Sequence, residues 1–244
     1  HAVDPQGFLA GFLGENPIAS ISAVKYGAEF GFIGFYIVKP EFRGHGFGLR
    51  LWNAAMERLA GRNVGLDGVI AQQENYKKTG FSLAYRNVRY QGSGISAPPQ
   101  DSPVIPLTQI AFAEVVAYDE ALFFASRPHF LQQWINQPKS LALACQREGK
   151  LQGYGVMRQC GAGYKIGPLF ADNETIADAL FSSLASRAGG QFVFLDIPEP
   201  NALALSLVRK HSMSPVFETA RMYTGQPPAM DLTKVFGVTS FELG

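Results

Sequence analysis

Three alternate glycines between a strand-like run and a helix-like run constrain this chain more than any other feature of its sequence. The apolar run 33–38 ends at Lys39-Pro40, residues 43–48 read Arg-Gly-His-Gly-Phe-Gly, and a helix-patterned segment follows at 49–59. Glycine permits a positive φ and close approach of a ligand to the backbone. Free N–H groups at a helix N-terminus attract phosphate. The pattern therefore predicts a strand, an anion-binding loop and a helix.

The spacing of these glycines fits neither GxGxxG nor GxxxxGK[ST], so the usual nucleotide loops fit poorly. It resembles the Arg/Gln-x-x-Gly-x-Gly/Ala pyrophosphate loop of the GNAT superfamily of acyl-CoA N-acyltransferases. The alternative is a glycine-rich connector that binds no ligand. The resemblance implies acetyl-CoA as cosubstrate, with its pyrophosphate on the loop amides and its pantetheine along the preceding strand. The residues that it assigns to coenzyme binding are Phe35, Tyr36, Ile37, Val38, Arg43, Gly44, His45, Gly46, Phe47, Gly48, Asn75 and Tyr76. We expect His45 to be exposed rather than catalytic.

Tyr76, followed by Gly80-Phe81, resembles the GNAT segment in which a tyrosine hydroxyl faces the coenzyme sulfur. A phenol can donate a proton to the departing thiolate, so Tyr76 is predicted to be the general acid. The alternative is a ring that only packs on the sheet. The chain departs from the family at Val69, where an asparagine is frequent. Asn75 or a neighbouring glutamine could take its place.

A general base is harder to identify from the sequence. The acceptor amine must be neutral to attack, so a carboxylate or a water chain leading to one is expected. By topology, Asp67 at the end of its strand and Glu29 just before the strand at 30–38 are the candidates. Each could equally be a structural or solvated acid, and the base could also lie before residue 1 or in the second domain.

Composition excludes several classes of protein. The 244 residues are 47% hydrophobic and 17% charged, as in ordinary globular chains, and the formal net charge of +1 gives no reason to expect a nucleic-acid partner. No apolar run reaches 18 residues, and the start of the sequence does not read as a signal peptide, so the cytoplasm is the predicted location. Cys145 and Cys160 lack any CxxC or His-rich partner. They are predicted to be reduced thiols, and no metal site is predicted.

The two halves of the chain have the same order of predicted elements, which indicates a duplicated fold. In the first half the predicted strands are 8–13, 18–26, 30–38, 64–69 and 83–90, and the predicted helices are 49–59 and 72–79. In the second half the predicted strands are 104–107, 140–146, 151–158, 165–170, 192–197, 216–224 and 235–240, and the predicted helices are 111–125, 129–136, 175–187 and 201–210. Leu66-Asp67 is echoed by Leu195-Asp196 at the end of the corresponding strand.

The predicted fold class is α/β (α+β), with two tandem GNAT folds, each a mixed, mostly antiparallel sheet flanked by helices. The chain resembles tandem GNAT proteins of the YitH-like type over nearly its full length. Predicted domains are 1–92 and 104–244, joined by a linker at 93–103 that is rich in Pro, Gly and Ser. Compared with the GNAT pattern, the first copy looks short of one strand and one or two helices.

The second copy is predicted to have lost the chemistry. Its connector 167–174 lacks Arg-Gly-x-Gly, and Val208 stands where the first copy has Tyr76. Tyr118-Asp119, Phe123 and Arg127 lie at helical spacing and could form an acceptor pocket, but a salt-bridged helix is the preferred interpretation.

The predicted function is transfer of an acetyl group from acetyl-CoA to an amine of a small molecule or peptide, without a covalent enzyme intermediate. Two alternatives remain open at this point. One is an acyl-CoA sensor or structural module without turnover. The other is an acyltransferase linked to tRNA or a thiol metabolite, which the near-neutral charge disfavours.

Overall fold

A computed structural model describes residues 4–94, 103–123 and 125–244, and these form two compact units. Unit 1 comprises the described residues of 1–84, 220–227 and 241–244, and unit 2 comprises those of 85–219 and 228–240. Residues 95–102, most of the predicted linker, lie outside the described residues. The predicted domain limits therefore stay a prediction.

Unit 1 is a mixed sheet with one long helix. Its elements are β1 (Phe8–Leu13), β2 (Asn16–Tyr26), β3 (Phe30–Val38), α1 (Phe47–Arg58), β4 (Asn63–Val69) and α2 (Gln73–Lys78). β1, β2 and β3 pair antiparallel, and β4 pairs parallel with β3. α1 is amphipathic and buries Trp52 and Ala55 against Ile21, Ile33 and Leu66 of the sheet. Burial of these apolar side chains holds the helix on one face of the sheet.

β3 contains a bulge next to the predicted glycine loop. Ser22 of β2 pairs with Gly34, but Ser20 pairs with Ile37, so β3 has one residue more than β2 between these pairs. Phe35 lies at the bulge with a φ of 49°. β4 pairs with the part of β3 that precedes the bulge. The bulge therefore lies where β3 has left its parallel neighbour, and it shifts the alternation of side chains in the rest of the strand.

Unit 2 repeats this arrangement on a larger scale. The remaining elements are β5 (Ser82–Ser93), β6 (Val104–Pro106), α3 (Phe112–Phe123), α4 (Pro128–Ile135), β7 (Ser140–Arg147), β8 (Lys150–Cys160), β9 (Gly163–Ala171), α5 (Glu174–Ala185), β10 (Phe192–Pro198), α6 (Ala202–Lys210), β11 (Ser214–Tyr223) and β12 (Val235–Gly237). β7, β8 and β9 pair antiparallel, and β10 pairs parallel with β9. This is the order of pairing that β1 to β4 have in unit 1, so the predicted duplication is confirmed.

The predicted elements are all present, with ends that shift by up to three residues. The strand predicted at 235–240 is the clearest difference, because β12 ends at Gly237. After it, Val238 N donates to Asp196 O at 2.8 Å. The carbonyl oxygens of Val238 and Thr239 lie over Gly167, where a Cβ atom would meet them at 2.5 and 2.7 Å. The chain thus crosses β9 at a glycine instead of continuing beside it.

Each unit contains a strand segment from the other half of the sequence. Residues 220–223 of β11 belong to unit 1, where Thr224 N donates to Val64 O at 3.0 Å. Residues 85–93 of β5 belong to unit 2, where they pair antiparallel with β10. The two sequence copies therefore exchange strands, which sequence pattern alone did not indicate. Within the described ranges, no helix has the length and apolar character needed to cross a membrane.

Candidate functional site

The glycine loop has the backbone that its sequence predicts. A single 3₁₀ turn, Pro40–Phe42, follows β3, and Arg43 Nε donates to Val38 O at 3.0 Å. Gly44 and Gly46 then adopt left-handed φ angles of 80° and 78°. A Cβ atom at either position would meet nothing within 4 Å, so φ rather than space requires glycine there.

α1 begins directly after this loop with an uncapped N-terminus. Gly46 is the N-cap, and among the described residues no side chain caps this end and no acidic residue lies in the first turn. Arg50 N makes a helical bond to Gly46 O at 3.1 Å. The amides that precede Arg50 are therefore the unpaired donors of the first turn, with the positive end of the helix dipole behind them. His45 is exposed and lies against Phe47, with ring centroids 6.1 Å apart, as expected of a loop residue.

The four predicted lining residues of β3 divide between two faces. Phe35 and Ile37 are 43% and 57% exposed, whereas Tyr36 and Val38 are half-buried. Tyr36 packs on Trp52 of α1 with ring centroids 5.5 Å apart. Without the bulge, alternation from Ile33 would have turned residue 35 towards α1. Because of the bulge, Tyr36 is the residue that faces α1.

Tyr76 projects from α2 towards the same tryptophan. Its ring centroid lies 5.6 Å from that of Trp52, and a Cβ atom at Gly68 would meet Tyr76 Cε2 at 2.3 Å. Burial raises the pKa of the Tyr76 hydroxyl, and the neighbouring Tyr36 raises that pKa further. Asn75, its predicted companion, is exposed and donates to Gln72 Oε1 at 2.7 Å. The structure thus brings Tyr76 and Tyr36 together around a residue that the sequence did not single out.

Trp52 is the residue of this aromatic cluster that the sequence alone did not single out. It is 4% exposed and also contacts Phe81, with ring centroids 5.8 Å apart. Two signals could have found it. It lies four residues after Gly48, hence on the same face of the helix, and Phe81 belongs to the Tyr76 motif itself.

The two predicted bases lie in different surroundings. Both oxygens of Asp67 bind Arg221, at 3.1 Å from Nε and 2.6 Å from Nη2, and the Asp67 side chain is fully buried. A buried carboxylate held in this way by a buried cation has a structural role in the fold. Glu29 is exposed and lies seven residues before Tyr36 along β3, about 23 Å at the usual rise per residue. The structure therefore does not bring Glu29 to the loop.

The corresponding positions of unit 2 have other contacts. Asn173 caps α5, because its side chain accepts a hydrogen bond from Ile176 N at 3.1 Å. Val208 is fully buried in α6, and Met213 N donates to Val208 O just as Phe81 N donates to Tyr76 O. Where the sequence predicts that the glycine loop and the tyrosine hydroxyl are lost, unit 2 therefore has a capped helix end and an apolar core residue.

The predicted cluster contains a buried ion pair between α3 and the start of α4. Arg127 binds both oxygens of Asp119, at 2.7 and 2.8 Å, and its guanidinium lies 3.5 Å from the centre of the Phe123 ring. The predicted salt bridge is therefore confirmed, but Arg127 is the N-cap residue of α4 and does not belong to the helix of Asp119. Cys145 is buried and Cys160 is half-buried, both as free thiols. In the part of the chain that the structure describes, no group of three His, Cys, Asp or Glu could hold a metal ion.

Comparison with known proteins gives one family for both halves. Residues 115–237 match the model of an acetyltransferase (GNAT) domain, and residues 1–81 match that of the acetyltransferase (GNAT) family. A holothin acyltransferase of Pseudoalteromonas sp. (strain SANK 73390) is 34% identical, over 99% of this chain and 83% of its own length. The uncharacterized N-acetyltransferase YitH of Bacillus subtilis (strain 168) is 29% identical, over 72% of this chain and 64% of its own.

Solved structures agree with this assignment. The crystal structure of a putative acetyltransferase from Pyrococcus horikoshii has a TM-score of 0.86 and 25% identity, and the match covers 100% of this chain and 82% of that one. A tandem GNAT protein from the clavulanic acid biosynthesis pathway has a TM-score of 0.62, with 91% and 85% covered, and at 12% identity it supports the fold alone. The chain therefore belongs to the GNAT superfamily, as an acyltransferase with two GNAT domains in tandem.

Proposed function

We propose that the chain moves an acetyl group from acetyl-CoA to an amine of a small molecule or peptide, directly, within one complex of enzyme and both substrates. The observation that carries this proposal is the uncapped N-terminus of α1, which follows two left-handed glycines in the same unit as Tyr76. The amides of Gly44, Gly46, Phe47 and Gly48 would hold the pyrophosphate, because they combine free donors with the helix dipole.

Tyr76 has the properties of a general acid for this reaction. The amine nitrogen attacks the thioester carbonyl, and the intermediate collapses as its C–S bond breaks. The phenol then gives its proton to the departing sulfur, the amine nitrogen loses a proton to solvent, and the phenol recovers a proton from solvent. Burial and Tyr36 raise the pKa of Tyr76, so the hydroxyl is protonated at neutral pH. Because the protonated form is active, kcat should not fall through Tyr76 between about pH 7 and 9, and should fall only above its ordinary pKa of about 10.

The acceptor class is proposed from a relative. The 34% identical protein is named as an acyltransferase of holothin, so holothin is the first acceptor to test with this chain. The family as a whole acts with acyl-CoA, and acetyl is the acyl group that we propose. Cytoplasmic location stays a prediction.

The test is release of free coenzyme A thiol from acetyl-CoA in the presence of holothin and of a panel of amines. Tyr76→Phe should lower kcat by about 10- to 1000-fold while the Kd for coenzyme A is unchanged. Tyr164→Phe, a half-buried tyrosine of unit 2, is the matched control and should keep kcat. Binding of acetyl-CoA without thiol release for any amine would contradict the proposal and favour a sensor.

A further inference from the structure

The sheet of unit 1 has a second face, which points away from α1. Leu9 of β1 pairs with Ile21 of β2, and both side chains pack in the apolar cluster under α1. Successive residues of a strand point to opposite faces, so the adjoining pair, Phe8 and Ser22, belongs to the second face. The ring of Phe35 lies on that face too, because its centroid is 6.4 Å from that of Phe8. A pair of aromatic rings therefore lies opposite α1 at the β3 bulge.

Phe35 combines a backbone conformation and an exposure that phenylalanine does not favour. Its φ of 49° lies in the left-handed region, where glycine is the usual residue and a bulky side chain is strained. The residue is also 43% exposed, so full burial in the core does not offset the strain. A smaller or more flexible residue would fit this position better on structural grounds. Strain at an exposed aromatic residue therefore points to a role in binding.

Phe35 belongs to the strand along which we propose that pantetheine binds. The pairs of β3 with β4 run from Phe30 to Ile33, and the bulge follows directly. On the α1 side of the bulge, Tyr36 packs on Trp52. An acceptor would therefore approach a thioester at this point from the other face, across the ring of Phe35. The backbone of Phe35 can serve the coenzyme, as the sequence predicts, while its ring serves the acceptor.

The C-terminal segment of unit 1, residues 241–244, bounds this face on one side. A Cβ atom at Gly34 would collide with Glu242 O and would lie 2.7 Å from Glu242 Cα, so the segment lies directly on β3 one residue before the bulge. Tyr26 Oη donates to Leu243 O at 2.7 Å and holds the segment there. The face is therefore covered at the residue before the bulge, and its exposed apolar part begins at the bulge itself.

We propose that the acceptor is an amine with an aromatic body, which binds on this face against the rings of Phe8 and Phe35. The inference rests on the proposed function and adds the class of acceptor to it. The two rings are tilted by 41°, and a flat body can meet them edge-to-face or offset, as aromatic groups prefer. Ile37, which is 57% exposed, extends the apolar surface along β3. The amino group of the acceptor then lies at the bulge, next to the thioester carbonyl.

The test is binding of phenethylamine, which needs no turnover. Saturation-transfer NMR on the full chain with bound coenzyme A gives its Kd, and ethylamine serves as the same amine without the ring. Phenethylamine should bind about tenfold more tightly than ethylamine, from contact and burial of the ring. Phe35→Gly should remove this advantage and keep the Kd for coenzyme A. Glycine suits a φ of 49°, so the variant should stay folded, which urea unfolding checks.

Phe192→Gly is the matched control and should leave both amine affinities unchanged. Phe192 of unit 2 is 49% exposed, and its ring centroid lies 6.5 Å from that of Phe194. Equal affinities for the two amines, or an unchanged Kd for phenethylamine in Phe35→Gly, would overturn the inference. A changed oligomeric state of Phe35→Gly without amine binding to the wild-type protein would also overturn it, because the rings would then join two copies of the chain. The expected binding without thiol release for any amine would overturn the proposed function and leave the ring-binding surface in place.

Discussion

The two units begin their central helices in opposite ways. α1 of unit 1 starts at Gly46, without a side-chain cap among the described residues, whereas the side chain of Asn173 caps α5 of unit 2. Glu174 adds a negative charge to the first turn of α5. An anion that approached α5 would meet an amide already bonded within the protein and a carboxylate of like charge. One helix end is therefore open to a phosphate and the other is closed by its own residues.

The strand bulges that precede these helices also differ: the bulge of unit 1 is exposed, and the bulge of unit 2 contacts a helix. In unit 2, Trp134 Nε1 of α4 donates to Gly167 O of the β9 bulge at 2.9 Å. In unit 1, Phe35 O of the β3 bulge accepts the hydroxyl of Ser20, from the same sheet, at 3.0 Å. Phe35 and Ile37 remain exposed there. In unit 2, a helix thus contacts the strand that corresponds to β3. In unit 1, β3 is the strand along which pantetheine would bind.

What the units share is structural. Asp67 binds Arg221 in unit 1, and Asp196 binds Arg89 in unit 2, each through both carboxylate oxygens. In each pair the aspartate lies on the strand that follows the central helix, and the arginine lies on the exchanged strand. The comparison teaches that the common features hold the fold, and it is to the features found in unit 1 alone that we assign the proposed chemistry.

The largest expected effect comes from breaking the shared ion pair. Asp67→Asn should cost about 3–5 kcal/mol of the free energy of unfolding, because it removes one charge of a buried ion pair while Arg221, whose side chain is 3% exposed, keeps the other. Asp196→Asn should also destabilise unit 2, since Asp196 is fully buried between Arg89 and Lys165. Urea unfolding of both variants measures these costs. Normal stability of Asp67→Asn with complete loss of turnover would instead identify Asp67 as the general base.

A smaller effect is expected from the feature found in unit 1 alone. Gly46→Ala forces an alanine to a φ of 78° and should weaken coenzyme A binding by about 10- to 100-fold, from a strain of about 1–2 kcal/mol and the displaced amides. Gly61→Ala is the matched control. Gly61 has a φ of 80° and equally open surroundings, but it lies beyond the other end of α1.

Both glycine variants should lose similar stability, and only Gly46→Ala should change the Kd measured by calorimetry. Equal Kd values for the two variants would show that the loop does not hold the pyrophosphate.

The sequence predicted the elements of this fold and the position of its loop for a physical reason. Glycines with positive φ and apolar periodicity are local signals, and local signals survive in a single sequence. The structure places Tyr76 against Trp52 of α1 and Gly68 of β4, and its pairing with the glycine loop in one site stays a prediction.

Other features could not be predicted because they depend on residues far apart in the chain. The bulge at Phe35 depends on pairing with β2, and it decides that Tyr36 rather than its neighbours faces α1. The exchange of strands joins residues more than 100 positions apart, such as Asp67 and Arg221. Hence the sequence could suggest Asp67 as a base, because it does not show that strand exchange brings Arg221 to this carboxylate.

The smallest effect concerns the closed helix end of unit 2. Asn173→Ala removes the hydrogen bond to Ile176 N and should cost about 1 kcal/mol, or roughly 2–4 °C in Tm. Calorimetric titration should still give one coenzyme A per chain, because the alanine adds no left-handed glycine and Glu174 still repels an anion. If the variant bound two molecules per chain, the asparagine would have been the element that closes a second site. The contrast between the units would then rest on one side chain instead of on the whole connector.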